Sequence, residues 1–137
     1  MPLRFVIHEH DATRLHWDLR LEMDGALKSW AIPKEPPSEI NIKRLAIPVD
    51  DHNIDYIDFE GVIPEGEYGA GTVKIWDRGE YELESRHEHK IVFVLKGQRL
   101  HGRFILLKTK DNNWLWFKTK ERNESPDTRI WNGQKNS

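Results

Sequence analysis

Residues 14–23, RLHWDLRLEM, alternate between polar and apolar side chains with almost no error. Leu15, Trp17, Leu19, Leu21 and Met23 take one parity, and Arg14, His16, Asp18, Arg20 and Glu22 take the other. Side chains two apart on a strand share a face, so the pattern predicts a half-buried strand. Asp24-Gly25 follows directly, a dipeptide suited to a two-residue hairpin turn, and Ala26 to Ile32 supplies the return strand. The polar parity sets an imidazole, a carboxylate and two guanidiniums on one rigid face, with His10 just upstream. Such a face can hold a cation and an anion side by side.

The rest of the chain reads as short strands between turn signals. Leu3 to Ile7 forms a first strand leading to His8 and His10, with a turn at Asp11-Ala12-Thr13. Pro33, Pro36 and Pro37 break the chain after the return strand, and Ser38 to Asn41 suits one helical turn capped by Ser38. Arg44 to Asp50 alternates again, with Pro48 marking an edge or a bulge. Residues 52–70 form an irregular, glycine-rich connection. Residues 72–76, 80–84, 90–95, 103–108 and 114–118 are β-rich. Asp77-Arg78-Gly79, Lys96-Gly97 and Asp111-Asn112-Asn113 are expected to be the turns between them. The expected fold is mostly β, a compact barrel or sandwich with at most short helical turns, formed by residues 1–137 as a single domain. Residues 121–137 form a polar, partly flexible tail in which Ile130 and Trp131 can dock.

A length of 137 residues accommodates a real core, and six tryptophans can fill much of it. Trp114 and Trp116 share a strand face, where core packing outweighs base stacking. There is no cysteine, so any bound metal must use histidine and carboxylate ligands. No apolar run reaches membrane-spanning length and no signal-peptide pattern opens the chain, so a soluble, cytoplasmic monomer is expected. A net charge of −2 argues against broad, non-specific nucleic-acid binding but leaves room for a local phosphate pocket.

Several groups of residues carry chemistry. His10 with His16 and Asp18 offers two imidazoles and a carboxylate, which leave positions open on a divalent ion for water or substrate. Manganese and zinc both suit these donors. The competing reading is a solvated face whose charges pair across the sheet. Arg14 and Arg20 have the forked geometry that grips phosphate, though salt bridges to Asp18 or Glu22 use the same groups. His52, near Asp50, Asp51 and Tyr56, titrates in the neutral range and suits an acid, a base or a phosphate donor. The glycine-rich loop lacks a P-loop lysine and carries Glu60, Glu65 and Glu67, so it reads as turns at a barrel rim. His8 reads as a surface residue, with ligation as the alternative.

The segment HDATRLHWDLRLEMDGALKSWAIPK, the run DDHNIDYIDFEGVIPEGEYGAGTV and the IWDRGEY that follows resemble the 3′-phosphoesterase domain of bacterial DNA ligase D and its stand-alone relatives. The similarity runs from about Phe5 to Lys118. It implies a β-barrel with a manganese-dependent site, zinc or another divalent cation being the alternative. The implied activity trims 3′ ends of primer strands. A 3′-terminal ribonucleoside is removed to leave a 3′-phosphate, and the phosphate is then removed to leave a hydroxyl for polymerase or ligase. By motif position, His10, His16 and Asp18 resemble the metal ligands, and Arg20, His52 and Tyr56 the groups that hold the scissile phosphate. Arg14, Lys34, Arg44 and Asp50 fall at supporting positions. In the resulting mechanism Arg20 and His52 neutralise charge on the phosphoryl oxygens, and His52 protonates the leaving oxygen. Asp50 stands where the family often has Glu, Asn53 where Pro is common, and His8 where Gln is common. Ligase D members carry an N-terminal segment that contributes to ribonucleoside removal, and this chain begins close to its first strand. Phosphate removal is therefore the step the resemblance implies most directly. The expected partners are nucleic-acid 3′ ends and a DNA ligase or repair polymerase. Two other classes fit the same residues: a cupin-like small-molecule metalloenzyme using His8, and a non-catalytic β-barrel that binds DNA ends.

Overall fold

The expected hairpin is the seed of the sheet. In the computed structural model, which describes residues 2–120, β2 (Leu15–Met23) and β3 (Ala26–Ile32) pair antiparallel with Met23 opposite Ala26. Asp24 and Gly25 both take positive φ, 57° and 79°. That is the turn geometry whose twist matches two right-twisted strands. β1 (Leu3–Asp11) pairs with the far edge of β2 and runs past Ile7, so His8 and His10 lie within it.

From this hairpin an eight-stranded antiparallel barrel closes. β4 (Lys43–His52) lies beside β3, followed around the barrel by β9 (Trp114–Lys118), β8 (His101–Lys108), β7 (Lys90–Lys96) and β6 (Gly71–His87). β6 is long enough to pair with β7 along its second half and with β1 along its first, which shuts the barrel. The short β5 (Gly61–Ile63) adds to the start of β6. Pro48 sits beyond the last β9 pair, where, among the described residues, β4 has β3 as its only strand neighbour. That is the local edge a proline requires. Among the described residues no helix is long and apolar enough to cross a membrane. The expected tail, with Ile130 and Trp131, lies outside the described residues.

The barrel interior is filled by side chains, as the width of eight strands dictates. Phe5, Ile7, Leu19, Leu21, Trp30, Ile32, Phe93, Phe104, Leu106, Trp114 and Trp116 are buried in one cluster. Phe104 lies 5.8 Å from Trp116 and Trp30 lies 6.1 Å from Trp114, centroid to centroid. From Trp17 to Met23 the apolar parity of β2 therefore points inward, Leu15 being exposed, and its polar parity faces outward.

Two expectations are corrected here. Asp77-Arg78-Gly79 is not a turn, because β6 runs through it without a break. The register with β1 slips at this point: Ile7 faces Asp77 and His8 faces Ile75, leaving Trp76 as the extra residue of a bulge. Asp77 is buried, and its carboxylate accepts hydrogen bonds from the backbone N–H of Arg78 (2.9 Å), Gln98 (2.9 Å) and Leu100 (2.8 Å). Its turn chemistry thus serves the neighbouring β7–β8 connection. Only glycine fits at Gly97, where a Cβ would collide with the Asp77 carboxylate and the Phe5 ring.

The second correction concerns residues 52–70. This connection contains a short 3-10 helix (Ile54–Asp58) as well as β5. Asn53 caps the helix by accepting from the Asp55 N–H at 3.0 Å, a role its side-chain oxygen can fill and a proline cannot. The helix lies on the outer face of β1 and β3: Ile57 packs with Val6 and Leu27, and Ile54, Tyr56 and Ile75 surround them. The outer face of the first hairpin is therefore covered, and its polar side chains are enclosed.

Candidate active site

Strand register gathers the polar parity of β2 against its neighbours. His10 faces His16 and His8 faces Asp18 across β1–β2, and Arg20 faces Ser29 across β2–β3. One candidate ligand atom each from His10, His16 and Asp18 can be chosen so that all three lie within 4.8 Å of one another. His10 Nδ1 is 3.4 Å from Asp18 Oδ2, and His16 Nε2 is 3.3 Å from Asp18 Oδ1. The remaining ring nitrogens point away, His10 Nε2 to the Gly69 carbonyl (2.7 Å) and His16 Nδ1 to the Arg14 carbonyl (3.2 Å). A carbonyl only accepts, so those nitrogens donate. In the neutral rings, Nδ1 of His10 and Nε2 of His16 keep their lone pairs on the Asp18 side. Outer nitrogens tied to carbonyls are the usual support of metal-ligating histidines. Two imidazoles, a carboxylate and no thiolate fit manganese, zinc or a similar divalent cation.

The electrostatics favour a cation. Burial works to raise the Asp18 carboxyl, but the hydrogen bonds that His10 and His16 give when a proton, in place of a metal, sits on the nitrogen facing it, together with the charge of Arg20, overcome it. The carboxyl is held well below the usual carboxylate range. The hydrogen bond to Asp18 raises His16, so a proton competes with a metal for the same lone pair.

Arg20 occupies the centre of the enclosed face and is 3% exposed. Its Nε donates to His8 Nδ1 (3.1 Å), Nη1 to Ser29 Oγ (2.9 Å) and to His52 Nδ1 (3.0 Å), and Nη2 to Asp18 Oδ2 (3.2 Å). A guanidinium has no acceptor, so both histidine Nδ1 atoms are acceptors and both rings are neutral with the proton on Nε2. Burial and then the Arg20 charge push His8 down to about 4, and the same two causes lower His52. His8 Nε2 donates to the Phe59 carbonyl at 3.0 Å. The Tyr56 ring closes the group, with the Arg20 Cζ 5.0 Å from its centroid, His52 at 4.5 Å and Phe59 stacked at 4.9 Å. Burial raises the Tyr56 phenol, so it stays protonated.

These groups open on a cavity of about 320 Å³ lined by His10, His16, Asp18, Arg20, His52 and Tyr56, together with Asp50, Tyr68 and Gly69. A larger cleft of about 640 Å³ lies beyond the 3-10 helix, beside Arg4, Trp76 and Arg99. Among the described residues it contains no group of candidate metal ligands. The candidate metal ligands all line the smaller cavity. Residues 8–108 match the family model described as the DNA ligase D 3′-phosphoesterase domain.

The chain belongs to the DNA ligase D 3′-phosphoesterase family.

Relatives include the multifunctional non-homologous end joining protein LigD of Pseudomonas aeruginosa, 47% identical over 128 residues, covering 87% of this chain and 15% of that protein. The corresponding LigD repair protein of Mycobacterium tuberculosis is 45% identical over 124 residues, covering 88% of this chain and 16% of that protein. LigD of Mycolicibacterium smegmatis is 44% identical over 136 residues, covering 90% and 18%. The chain thus spans less than a fifth of the length of these relatives.

Within this phosphoesterase-family barrel, six residues singled out in the sequence share one cavity: His10, His16, Asp18, Arg20, His52 and Tyr56. Asp50 also lines it and is exposed. Arg14 does not flank them. It is exposed, it precedes β2, and its contribution is the carbonyl that holds His16. Lys34 and Arg44 line a separate depression of about 200 Å³ with Lys43, and Arg44 Nε donates to the Glu35 carbonyl at 2.6 Å. His8 is no surface residue; it is fully buried and orients Arg20. Its two-residue spacing from His10 puts both on one face, but its cover comes from Tyr56 and Phe59, about fifty positions away. Gly69 was also missed, because a carbonyl leaves no mark in a sequence.

Proposed function

We propose that this domain is a divalent-metal-dependent phosphoesterase that acts on nucleic-acid 3′ ends during repair by end joining. It would remove a terminal 3′-phosphate, and by the same chemistry open the diester that holds a 3′-terminal ribonucleoside. The observation that carries this reading is the juxtaposition of a His-His-Asp cluster with the Arg20–His52 pair in one cavity of a 3′-phosphoesterase-family barrel.

His10 Nδ1, His16 Nε2 and Asp18 would hold the ion. Manganese or zinc bound there supplies a Lewis acid for a phosphoryl oxygen and for water. Four of the five N–H groups of Arg20 are engaged by protein, so it offers a single remaining donor and a buried positive charge, not a two-pronged grip. His52, kept neutral by Arg20, suits hydrogen-bond donation to a phosphoryl oxygen better than delivery of a proton. Protonation of the leaving 3′ oxygen is therefore assigned to solvent. In phosphate removal, water oxygen bonds to phosphorus, the bond from phosphorus to the 3′ oxygen breaks, and phosphate and a 3′-hydroxyl result; in the diester step the bond from phosphorus to the 5′ oxygen of the terminal ribonucleoside breaks instead, and a 3′-phosphate and a free nucleoside result.

The test is a primer–template with a labelled 3′-phosphate, incubated with manganese, zinc, magnesium or chelator. The expected result is phosphate release with manganese, none with chelator, and loss of release in Asp18→Asn with its fold retained by circular dichroism. No phosphate release with any of the three metals would refute the proposal. Turnover by Asp18→Asn at saturating manganese would refute the ligand assignment. A ligase or polymerase partner fits the same reading, since each requires the 3′-hydroxyl that this reaction makes.

A further inference from the structure

The cavity is also lined by Ala12, Ala31, Val49, Ile63 and Tyr68. Tyr68 stands out there because it is 91% exposed. Among the described residues no hydrogen bond, ion pair or ring contact engages its side chain. Its backbone, in contrast, is firmly placed. Two successive turns close the loop, Glu67 N–H to the Pro64 carbonyl and Ala70 N–H to the Glu67 carbonyl, each 3.2 Å. The next residue, Gly69, is tied through its carbonyl to His10 at 2.7 Å. A pinned loop thus presents an unpartnered aromatic face beside the candidate metal cluster.

The charge around the ring narrows what it can receive. Glu65 and Glu67 are exposed on the same loop and repel a phosphate backbone. The positive charge of the same cavity lies at Arg20. A strand end that places its terminal phosphate near Arg20 carries one flat, uncharged group within a sugar's length of that phosphate, its last nucleobase. Resting on the phosphoesterase reading above, we propose that Tyr68 stacks on the terminal nucleobase and so sets specificity for nucleic-acid ends over other phosphate esters. Every base has a π face, so the contact tolerates any terminal sequence, as an end-processing site requires.

The test compares two oligonucleotide ends, one with a normal terminal nucleotide bearing the 3′-phosphate and one whose terminal residue is abasic. Wild type is expected to prefer the base-bearing end by about tenfold in kcat/KM, the size of effect a single stacked base supports. The preference should lie in KM, collapse towards unity in Tyr68→Ala, and return in Tyr68→Phe and Tyr68→Trp. A second readout needs no turnover: 2-aminopurine as the terminal base should be quenched on binding to wild type and Tyr68→Phe, and not to Tyr68→Ala. An unchanged preference in Tyr68→Ala, or equal quenching by wild type and Tyr68→Ala, would overturn the proposal. If wild type released no phosphate from either end, the phosphoesterase reading would fall, and the fluorescence arm would still decide the stack.

Discussion

Arg20 has partners on four of its N–H groups before any ligand arrives, and His8 is the one whose protonation state is most constrained. A second proton on His8 would set an N–H against the Arg20 guanidinium inside a closed site. Its folded pKa, about 4, lies below the ordinary 6.5. The unfolded chain therefore takes up the proton first as pH falls. The stabilising contribution of neutral His8 is full above pH 6.5 and declines by about 3 kcal/mol as pH drops to about 4. Urea titrations at pH 7.5 and 4.5 check this. Wild type should lose more stability across the interval than His8→Gln, whose amide accepts from Arg20 and donates to Phe59 at both pH values. Equal losses would remove His8 from the account. At this scale the shared face of the site residues was legible in the sequence and their environments were not. His16, Asp18 and Arg20 share one face of β2 because of their two-residue spacing, and His10 joins them from β1 across the β1–β2 pairing. The burial of His8 was not legible, because its cover arrives from a distant segment with no periodicity of its own.

The hairpin was the most legible element: alternation fixed its faces, and Asp24-Gly25 fixed its register. The connection over 52–70 was the least legible. Its composition reads as loop, yet it supplies the 3-10 helix that covers the outer face and the carbonyl that orients His10. Gly69 tests whether this loop is part of the metal centre. Its φ is +78°, and a Cβ would lie 3.4 Å from the His10 ring. Gly69→Ala should therefore displace the carbonyl from His10 Nε2 and weaken manganese affinity, measured by isothermal titration calorimetry, by roughly tenfold, the size of effect that loss of an outer-shell partner produces. The barrel should survive, at a cost of about 1–2 kcal/mol for a side chain at positive φ. Unchanged manganese affinity would assign the loop to the rim alone.

For the whole molecule, β-rich segments and turn signals gave the class of fold, but closure of the barrel rests on pairings that no local pattern encodes. β4 meets β9 across some seventy residues, and β6 returns to β1 through a bulge. Asp77 shows how a local reading goes astray, since its turn chemistry serves another hairpin's backbone. Asp77→Asn keeps one acceptor oxygen and leaves the Leu100 N–H without its partner. The expected cost is about 1–3 kcal/mol in urea denaturation, with phosphate release unaffected because the residue lies outside the cavity. A loss of turnover without a loss of stability would show that the two regions are coupled. The central claim concerns the other end of the same strand network, where three donors from β1 and β2 converge on the place for one cation. Anomalous diffraction at the manganese edge, from crystals soaked in manganese, tests it most directly. The account predicts a peak bounded by His10 Nδ1, His16 Nε2 and Asp18 and absent in Asp18→Asn; a peak elsewhere, with those three side chains unliganded, would contradict it.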